Sequence, residues 1–433
     1  MSELIIIGAG ITGLSAGYHA EKRNIKYQIF EQESQVGGLC RTLYKDGFYF
    51  DISGHVLSLK DQYIQALVRR FLKDNLRIIK RNAAIYSKEV FTRYPFQVNL
   101  YGLPRRVISE CLREFVKVYF KHRDLPPNSY RTFHDLILAK FGKGIARHFM
   151  FPYNSKFWTV PVRDIVCDWV AGYIPMPSLE DIFNGAFGRK KDNFGHNAIF
   201  WYPSRGGIQP LCDNFAERLK NLHLNKSVRK ISLKKKELTF NSGEVIGYTK
   251  LISTMPLKEL IAIAEDDLPS RITQAARKLK HNSVLVLNIG VKGQNLTDKH
   301  WVYLPEKKYA PYRVGTYTNF SKQIAPPGTT SYYAEIAYRK DWNVNKDKLI
   351  NRTINDMLSI GFIRKKKDII TKDVFDIKYA YVIYDKNYSQ NRKVLLEYLR
   401  RHNIFSIGRY GGWEYSLMES AMQQGKNIID KVC

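Results

Sequence analysis

The stretch Leu4-Ile5-Ile6-Ile7-Gly8-Ala9-Gly10-Ile11-Thr12-Gly13 decides the fold. Four apolar residues run into a Gly-x-Gly-x-x-Gly turn, the pattern of a buried strand feeding a helix beneath a dinucleotide. Gly8 permits the tight turn, Gly10 lets a pyrophosphate approach the backbone, and Gly13 lets the helix sit close to the strand. Free N–H groups and the macrodipole at the helix start favour phosphates. A glycine turn alone is weak evidence, and its context strengthens it. A helical run over 14–22 leads to a second strand, Tyr27-Gln28-Ile29-Phe30, that ends in Glu31. That carboxylate falls about twenty residues beyond the glycines, where it accepts hydrogen bonds from a ribose diol.

The residues just beyond Glu31 separate NAD from FAD. Gln35-Val36-Gly37-Gly38-Leu39-Cys40-Arg41-Thr42 adds a second glycine pair and an arginine, and the chain then runs through Asp51 to Gly54-His55. A plain nicotinamide dehydrogenase does not need this stretch. A chain that holds FAD along its length does, because backbone must pack against the pyrophosphate and the ribityl–flavin end. FAD is therefore the expected cofactor.

The 433 residues, 44% of them hydrophobic, suffice for two or three domains with sizeable cores. No window approaches the ~18 uninterrupted apolar residues of a spanning helix. The N-terminus enters the first strand directly, so no signal peptide is expected and the location reads as cytoplasmic. Five cysteines lie without metal or CxxC spacing, which fits reduced thiols and predicts no metal site. The net charge of +29 invites a nucleic-acid reading. Against it, the lysines are dispersed and no recognition helix, zinc motif or aromatic–basic RNA signature accompanies them. An anionic substrate fits the charge better, with weak peripheral attraction to an anionic membrane as a lesser idea.

Along the chain, 63–72 reads as an amphipathic helix and 78–93 as two short strands around Ser87-Lys88. From 103 to 147 the period is helical, with helices over 107–121 and 131–141, and Ser178 is a helix N-cap. A helix is expected over 208–219, and strands over 227–233, 237–240 and 251–254. A strand-rich region follows over 283–290, 301–304 and 332–337, then a helix over 346–360. The end, Ile404-Phe405-Ser406-Ile407-Gly408-Arg409-Tyr410-Gly411 and a helix over 416–432, resembles the piece that caps the isoalloxazine in glutathione-reductase-like flavoproteins. The fold class is therefore α/β: a discontinuous Rossmann-like FAD-binding domain (1–98, 193–280 and 378–433), a mainly helical substrate domain (99–192) and an antiparallel-sheet substrate domain (281–377).

Blocks spread over nearly the whole chain resemble the UDP-galactopyranose mutases, the eukaryotic-type branch more than the bacterial one. They are GAGITGLSA, VGGLCRT, GHV at His55, YPFQ at 94–97, FMFPYNSKFWTVP at 149–161, NFGHNAIFWYPSRGG at 193–207, WVYLPE at 301–306, YRVGTYTNFS at 312–321 and GRYGGWEY at 408–415. The glycine motifs point only to the wider amine-oxidase-like FAD class, whereas YPFQ, PYNxKxW and YR…NFS are more specific.

The resemblance implies a redox-neutral isomerase that interconverts pyranose and furanose forms of a UDP-sugar and serves polysaccharide biosynthesis. Reduced FAD is the active form, its N5 the nucleophile at the anomeric carbon, with NADPH or NADH as external reductant. Arg313 corresponds to the arginine that grips the diphosphate, and Tyr381 and Tyr415 to paired tyrosines on the same group. Tyr379 and Tyr384 leave the register of Tyr381 open. Tyr94, Gln97, Phe149, Asn154 and Trp158 correspond to the uridine end, and Asn193 and Asn197 to a flap over the nucleotide. Trp301 and Tyr303 line the sugar, and His55 sits beside the flavin. Gly8, Gly10, Gly13, Glu31, Gly37, Gly38, Leu39, Arg41, Val228, Gly408 and Arg409 form the cofactor set.

One departure bears on the substrate. The family places a second diphosphate arginine about fifteen residues beyond the tryptophan of PYNxKxW, and that count from Trp158 lands on the neutral Tyr173. Either a cation from elsewhere substitutes, or the substrate is not a UDP-hexopyranose. The competing reading is an FAD-dependent oxidoreductase of the amine-oxidase or protoporphyrinogen-oxidase kind. Such an enzyme needs a long apolar cavity and no diphosphate clamp. A non-catalytic FAD-stabilised module is disfavoured by the completeness of the substrate-side blocks. The oligomeric state is open.

Overall fold

The computed structural model describes residues 4–167, 169–170, 173–189 and 198–432. Strand Leu4–Ile7 is buried along its whole length. It is the centre of a five-stranded sheet in the order Ile404–Ser406, Lys250–Ser253, Leu4–Ile7, Tyr27–Phe30, Leu222–His223. Every pairing in it is parallel, which explains a first strand that is apolar throughout rather than alternating.

The helix Ile11–Lys22 leaves this strand and packs on the C-terminal helix Met418–Val432. A Cβ on Gly425 would lie 2.8 Å from Ala16 N, and the Ser15 hydroxyl donates to Met422 O at 2.7 Å, so the two backbones run close together. Helices Gln62–Leu72 and Gln209–Ala216 complete this layer, with Tyr18, Phe71 and Phe215 meeting edge to face.

A second sheet of seven strands runs Ile369–Ile383, Lys280–Lys292, Thr329–Tyr338, Arg313–Thr316, Trp301–Tyr303, Ala83–Ser87, Val90–Arg93. The strands that fall within 281–377 pair with one another in antiparallel fashion. Trp301–Tyr303 pairs with Ala83–Ser87 in parallel, so the sheet is mixed and draws two strands from the N-terminal hundred residues. At its other end Ile369–Ile383 runs past the expected boundary at 377.

A helical group of Arg105–His122, Phe133–Ile145 and Phe151–Trp158 packs together. Phe133, Leu136, Ile137 and Phe141 bury one face against Val107, Cys111 and Phe115. A Cβ on Gly144 would meet the Cys111 backbone at 2.7 Å, which is why this crossing takes glycine. Ser178 starts helix Leu179–Ala186 with a reciprocal cap: Asp181 N–H donates to Ser178 Oγ (3.1 Å) and Ser178 N–H to Asp181 Oδ2 (3.0 Å). The segment expected as two strands over 78–93 forms three, Leu76–Lys80, Ala83–Ser87 and Val90–Arg93. No helix among the described residues is long and apolar enough to cross a membrane.

Candidate active site

The glycine turn is built for close approach. A side chain on Gly13 would collide with the Gly8 carbonyl, so the helix must begin against the strand it follows. Gly10 is the helix N-cap and offers no side-chain acceptor, leaving the first-turn N–H groups of this 12-residue helix for an anion. The second glycine pair folds back onto the first. Gly37 N–H donates to Ala9 O at 2.8 Å, and Gly38, at φ +58°, would place a Cβ 3.3 Å from Gly10 Cα. Arg41 Nε donates to Gly38 O (2.9 Å) and holds the pair in place, with Leu39 between them in the turn. Glu31 Oε2 accepts from Ala9 N–H (2.6 Å) and Oε1 from Glu33 N–H (3.0 Å), so the carboxylate stands directly beside the turn with lone pairs to spare. Val228 lies opposite Phe240, which packs on Phe30 at 4.8 Å, and so borders the same corner.

The C-terminal unit meets this turn from the other side. Gly408 N–H donates to Gln424 Oε1 (2.8 Å), and a Cβ there would lie 3.1 Å from Thr12 Cβ. The next residue, Arg409, donates to Ser416 O (3.0 Å) and Ala380 O (2.9 Å), and its guanidinium carbon lies 5.0 Å from the ring centres of both Tyr381 and Tyr415. His55 lies within the fields of Arg409, Glu335 and Arg313. Burial first, then the Arg409 charge, push its pKa down to about 4, so the imidazole is neutral. His55 Nδ1, Tyr410 Oη and Ser416 Oγ are buried without a hydrogen-bond partner.

Arg313 is the second fixed cation. Its Nε and Nη2 donate to the two Glu335 oxygens at 2.5 and 2.6 Å, and Ser53 Oγ also donates to Glu335. Burial alone would raise the Glu335 carboxyl and lower the arginine. The pairing reverses both, so Glu335 is held below and Arg313 well above its ordinary value.

Around these charges stands a wall of tyrosines. Tyr94 and Tyr303 lie 5.0 Å apart, Tyr153 meets Tyr303 edge-on at 5.5 Å, and Tyr381 and Tyr415 stack at 6.0 Å. Trp301 Nε1–H donates to Tyr303 Oη (2.9 Å) and orients that phenol. Tyr173, the residue found where a second arginine was expected, packs edge-on against Tyr415 at 5.0 Å.

The structure thus brings together His55, Tyr94, Tyr173, Trp301, Tyr303, Arg313, Tyr381, Tyr415 and Arg409. Of the three candidates for one role, Tyr381 takes the place beside Arg409, whereas Tyr379 donates to Glu259 and Tyr384 accepts from Tyr415 N–H. Others expected at the uridine end are spent within the protein. Asn154 Nδ2 donates to Met150 O (2.8 Å) and Gln97 Nε2 to Pro175 O (2.9 Å). Phe149 is buried and stacks on Phe96 and Tyr153, backing the tyrosine wall from the core, and Trp158 is only 1% exposed. Asn193 and Asn197 lie outside the described residues.

Sequence reasoning missed Glu335, Ser53 and Lys156. A lone carboxylate inside the apolar strand Thr329–Tyr338 was the available signal for Glu335. Lys156, within the PYNSKFW block, donates to Leu304 O (2.9 Å), Glu306 O (3.2 Å) and Pro311 O (2.7 Å) and so clamps the loop between the Trp301 and Arg313 strands.

An α/β fold of mixed sheets with an anion-ready glycine turn is the frame of a flavoprotein. The chain belongs to the flavin-containing amine oxidoreductase family, whose model matches residues 11–428. Among solved structures it is similar to reduced UDP-galactopyranose mutase, at 29% identity and a TM-score of 0.94 over 100% of this chain and 94% of that one. Putrescine oxidase bound to putrescine shares the fold, with a TM-score of 0.69 at 16% identity over 100% of this chain and 98% of that one.

Curated relatives match locally. Ferredoxin–NADP reductase of Acholeplasma laidlawii is 36% identical over 21% of this chain and 28% of its own length. The 4,4'-diapophytoene desaturase of Staphylococcus aureus (strain COL) is 38% identical over 14% of this chain and 12% of its own. The match thus spans under a third of either relative. The residues here fit FAD on their own geometry: an uncapped helix start, a cradle between facing glycine pairs, and the orphaned His55, Tyr410 and Ser416 atoms.

Proposed function

We propose that this chain is a flavin-dependent nucleotide-sugar mutase that interconverts the pyranose and furanose forms of a UDP-sugar of the galactopyranose type without net redox change. The observation that carries the reading is whole-length likeness to reduced UDP-galactopyranose mutase, at 29% identity. Bound FAD, reduced by NADPH or NADH, would supply a nucleophile, its N5, at the anomeric carbon.

The protein's own tasks are to bind, orient and exclude water. Arg313, stiffened by Glu335, presents a pre-aimed guanidinium to the departing diphosphate. Tyr381 and Tyr415 bring phenol groups to the same place, held by the Arg409 guanidinium lying against both rings. Burial pushes the Tyr381 hydroxyl up to about 12, so it stays protonated and donates to phosphate oxygens. Trp301 and Tyr303 shape the sugar end, and the neutral His55 adds no charge beside the flavin. In this reading residues 1–98, 193–280 and 378–433 hold the cofactor, and the helical and sheet segments between them hold the substrate.

A second reading, an FAD-dependent oxidoreductase, is favoured by one observation: the neutral Tyr173 stands where a second diphosphate arginine is expected. Anaerobic incubation with UDP-galactopyranose separates the two. Furanose appearing with dithionite-reduced enzyme and not with oxidised enzyme supports the mutase. Absence of both turnover and UDP binding makes the oxidoreductase the lead.

A further inference from the structure

The helix Arg105–His122 carries apolar residues on two opposite sides. Val107, Cys111 and Phe115 bury the inner side against Phe133–Ile145. On the outer side Arg106, Arg113 and Lys117 follow one another at seven and four residues, and Val116 and Phe120 fall among them, all exposed. Phe120 is 65% exposed. Leu125, just past the helix, and Tyr101, just before it, are exposed as well. Phe187, 74% exposed, lies beside Tyr101. Tyr101 N–H donates to Gly185 O at 3.1 Å, and a Cβ on Gly188 would lie 3.1 Å from the Tyr101 ring. One exposed apolar side chain needs no explanation, but a row of them along an 18-residue helix marks an interaction surface.

The charge along this side is mostly of one sign. The helix carries Arg105, Arg106, Arg113, Lys117 and Lys121, all exposed, against two half-buried glutamates at its flanks. Glu110 is answered by Arg147 (2.8 Å) and His148 (2.9 Å), and Glu114 by Arg113 (3.3 Å) and Lys117 (2.8 Å). The surplus is positive, in a chain of net charge +29. A second copy of the chain would set these cations against themselves. A nucleic acid strand needs ring faces for its bases, and Val116 and Leu125 offer none. An anionic bilayer satisfies both halves together, since lipid phosphates answer the cations and the apolar side chains leave water for the acyl boundary. We propose that Arg105–His122, with Tyr101 and Phe187 at its N-terminal end, is a docking surface for an anionic phospholipid bilayer. The helix lies in the plane of the interface, with its guanidinium and ammonium groups at phosphate level and Val116 and Phe120 below them.

The test is flotation of full-length holoenzyme with vesicles of phosphatidylcholine alone and of phosphatidylcholine mixed with phosphatidylglycerol. Wild type is compared with Arg105→Glu/Arg106→Glu, Phe120→Ser and Phe187→Ser. A Lys234→Glu/Lys235→Glu control makes the same change in net charge at an exposed turn of the small three-stranded sheet. Flavin content and Tm check that each variant folds. Wild type is expected to float with the phosphatidylglycerol vesicles and not with phosphatidylcholine alone. The arginine pair is expected to weaken partition roughly tenfold or more and each phenylalanine variant roughly fivefold, with the control within about twofold of wild type. An equal loss in the control would assign the attraction to overall charge and overturn the surface. Loss in the arginine pair alone, with both phenylalanine variants floating like wild type, would point to a polyanion such as nucleic acid and overturn the bilayer. Failure of wild type to float would overturn it outright.

Discussion

Arg313 and Glu335 stand directly opposite each other on adjacent antiparallel strands and close a two-pronged ion pair at 2.5 and 2.6 Å. Glu335 is fully buried, so its charge is tolerable only because the guanidinium answers it. Removing one partner leaves the other charged and dry. Glu335→Ala is expected to lower unfolding free energy by about 3–5 kcal/mol. Denaturant unfolding of the single variants and the double variant checks this. Strictly additive losses would mean the two residues do not act as a pair.

The diphosphate role proposed for Arg313 separates it from its neighbour in the sheet. Arg313→Ala is expected to cost roughly a hundredfold or more in turnover. Trp301→Phe removes one hydrogen bond to Tyr303 and is expected to cost roughly two- to tenfold. Steady-state rates with UDP-galactopyranose compare the two, and similar losses would argue against the diphosphate role.

The Gly13–Gly8 contact predicts a cofactor phenotype rather than a catalytic one. In Gly13→Ala the new methyl meets the Gly8 carbonyl, and the helix start must move away from the phosphate position. Purified protein is expected to carry far less flavin per chain than wild type, read from its visible absorbance. Full flavin content would refute the cradle.

Acid is expected to destabilise the fold. Burial is the first cause pushing His55, His281 and His300 each down to about 4, from an ordinary value of 6.5. Between those values the unfolded chain binds more protons than the native one, so stability is full above about 6.5 and is lost as pH falls toward about 4. Asp51 opposes this. Burial raises its carboxyl to about 6, so it binds a proton in the native state first and favours folding at lower pH. Three histidines outweigh one aspartate, and Tm is expected to fall from neutral pH toward pH ~5. His281 Nδ1 has no partner and its ring lies 4.4 Å from Tyr379, so His281→Leu is expected to flatten the curve. An unchanged slope would show that these histidines do not drive the acid loss.

Local chemistry made much of the fold readable. The helix Lys346–Ile360 announces itself by the Asn345 cap and by Gly361, which closes it at φ +88°. The first parallel strands are legible from an unbroken apolar run and the glycines behind it. The fifteen-residue strand Ile369–Ile383 did not stand out, because it is a sheet edge. Ile370 and Val374 face solvent on the same side as Lys372 and Asp376, which blurs the alternation. Helix Tyr388–Arg401 hid for a related reason, since it buries only Tyr388, Leu395 and Leu399.

The same limit applies to the site. Arg313 and Tyr415 lie within the quoted blocks, whereas Tyr381 lies outside them, with Tyr379 and Tyr384 as competing registers. The answering carboxylate of Glu335 depends on the pairing of two strands separated by twenty-two residues, and register is set by tertiary packing.

The mixed seven-stranded sheet has a genetic consequence. Ala83–Ser87 and Trp301–Tyr303 lie side by side, and Trp301–Tyr303 pairs in turn with the strand that carries Arg313. The half of the molecule that carries this sheet is therefore not a cassette. A recombination event or chimera joined at residue 98 or 377 would tear the seven-stranded sheet, because its strands come from both sides of each junction. Variation that leaves the sheet intact has to come by point substitution rather than by exchange of whole segments.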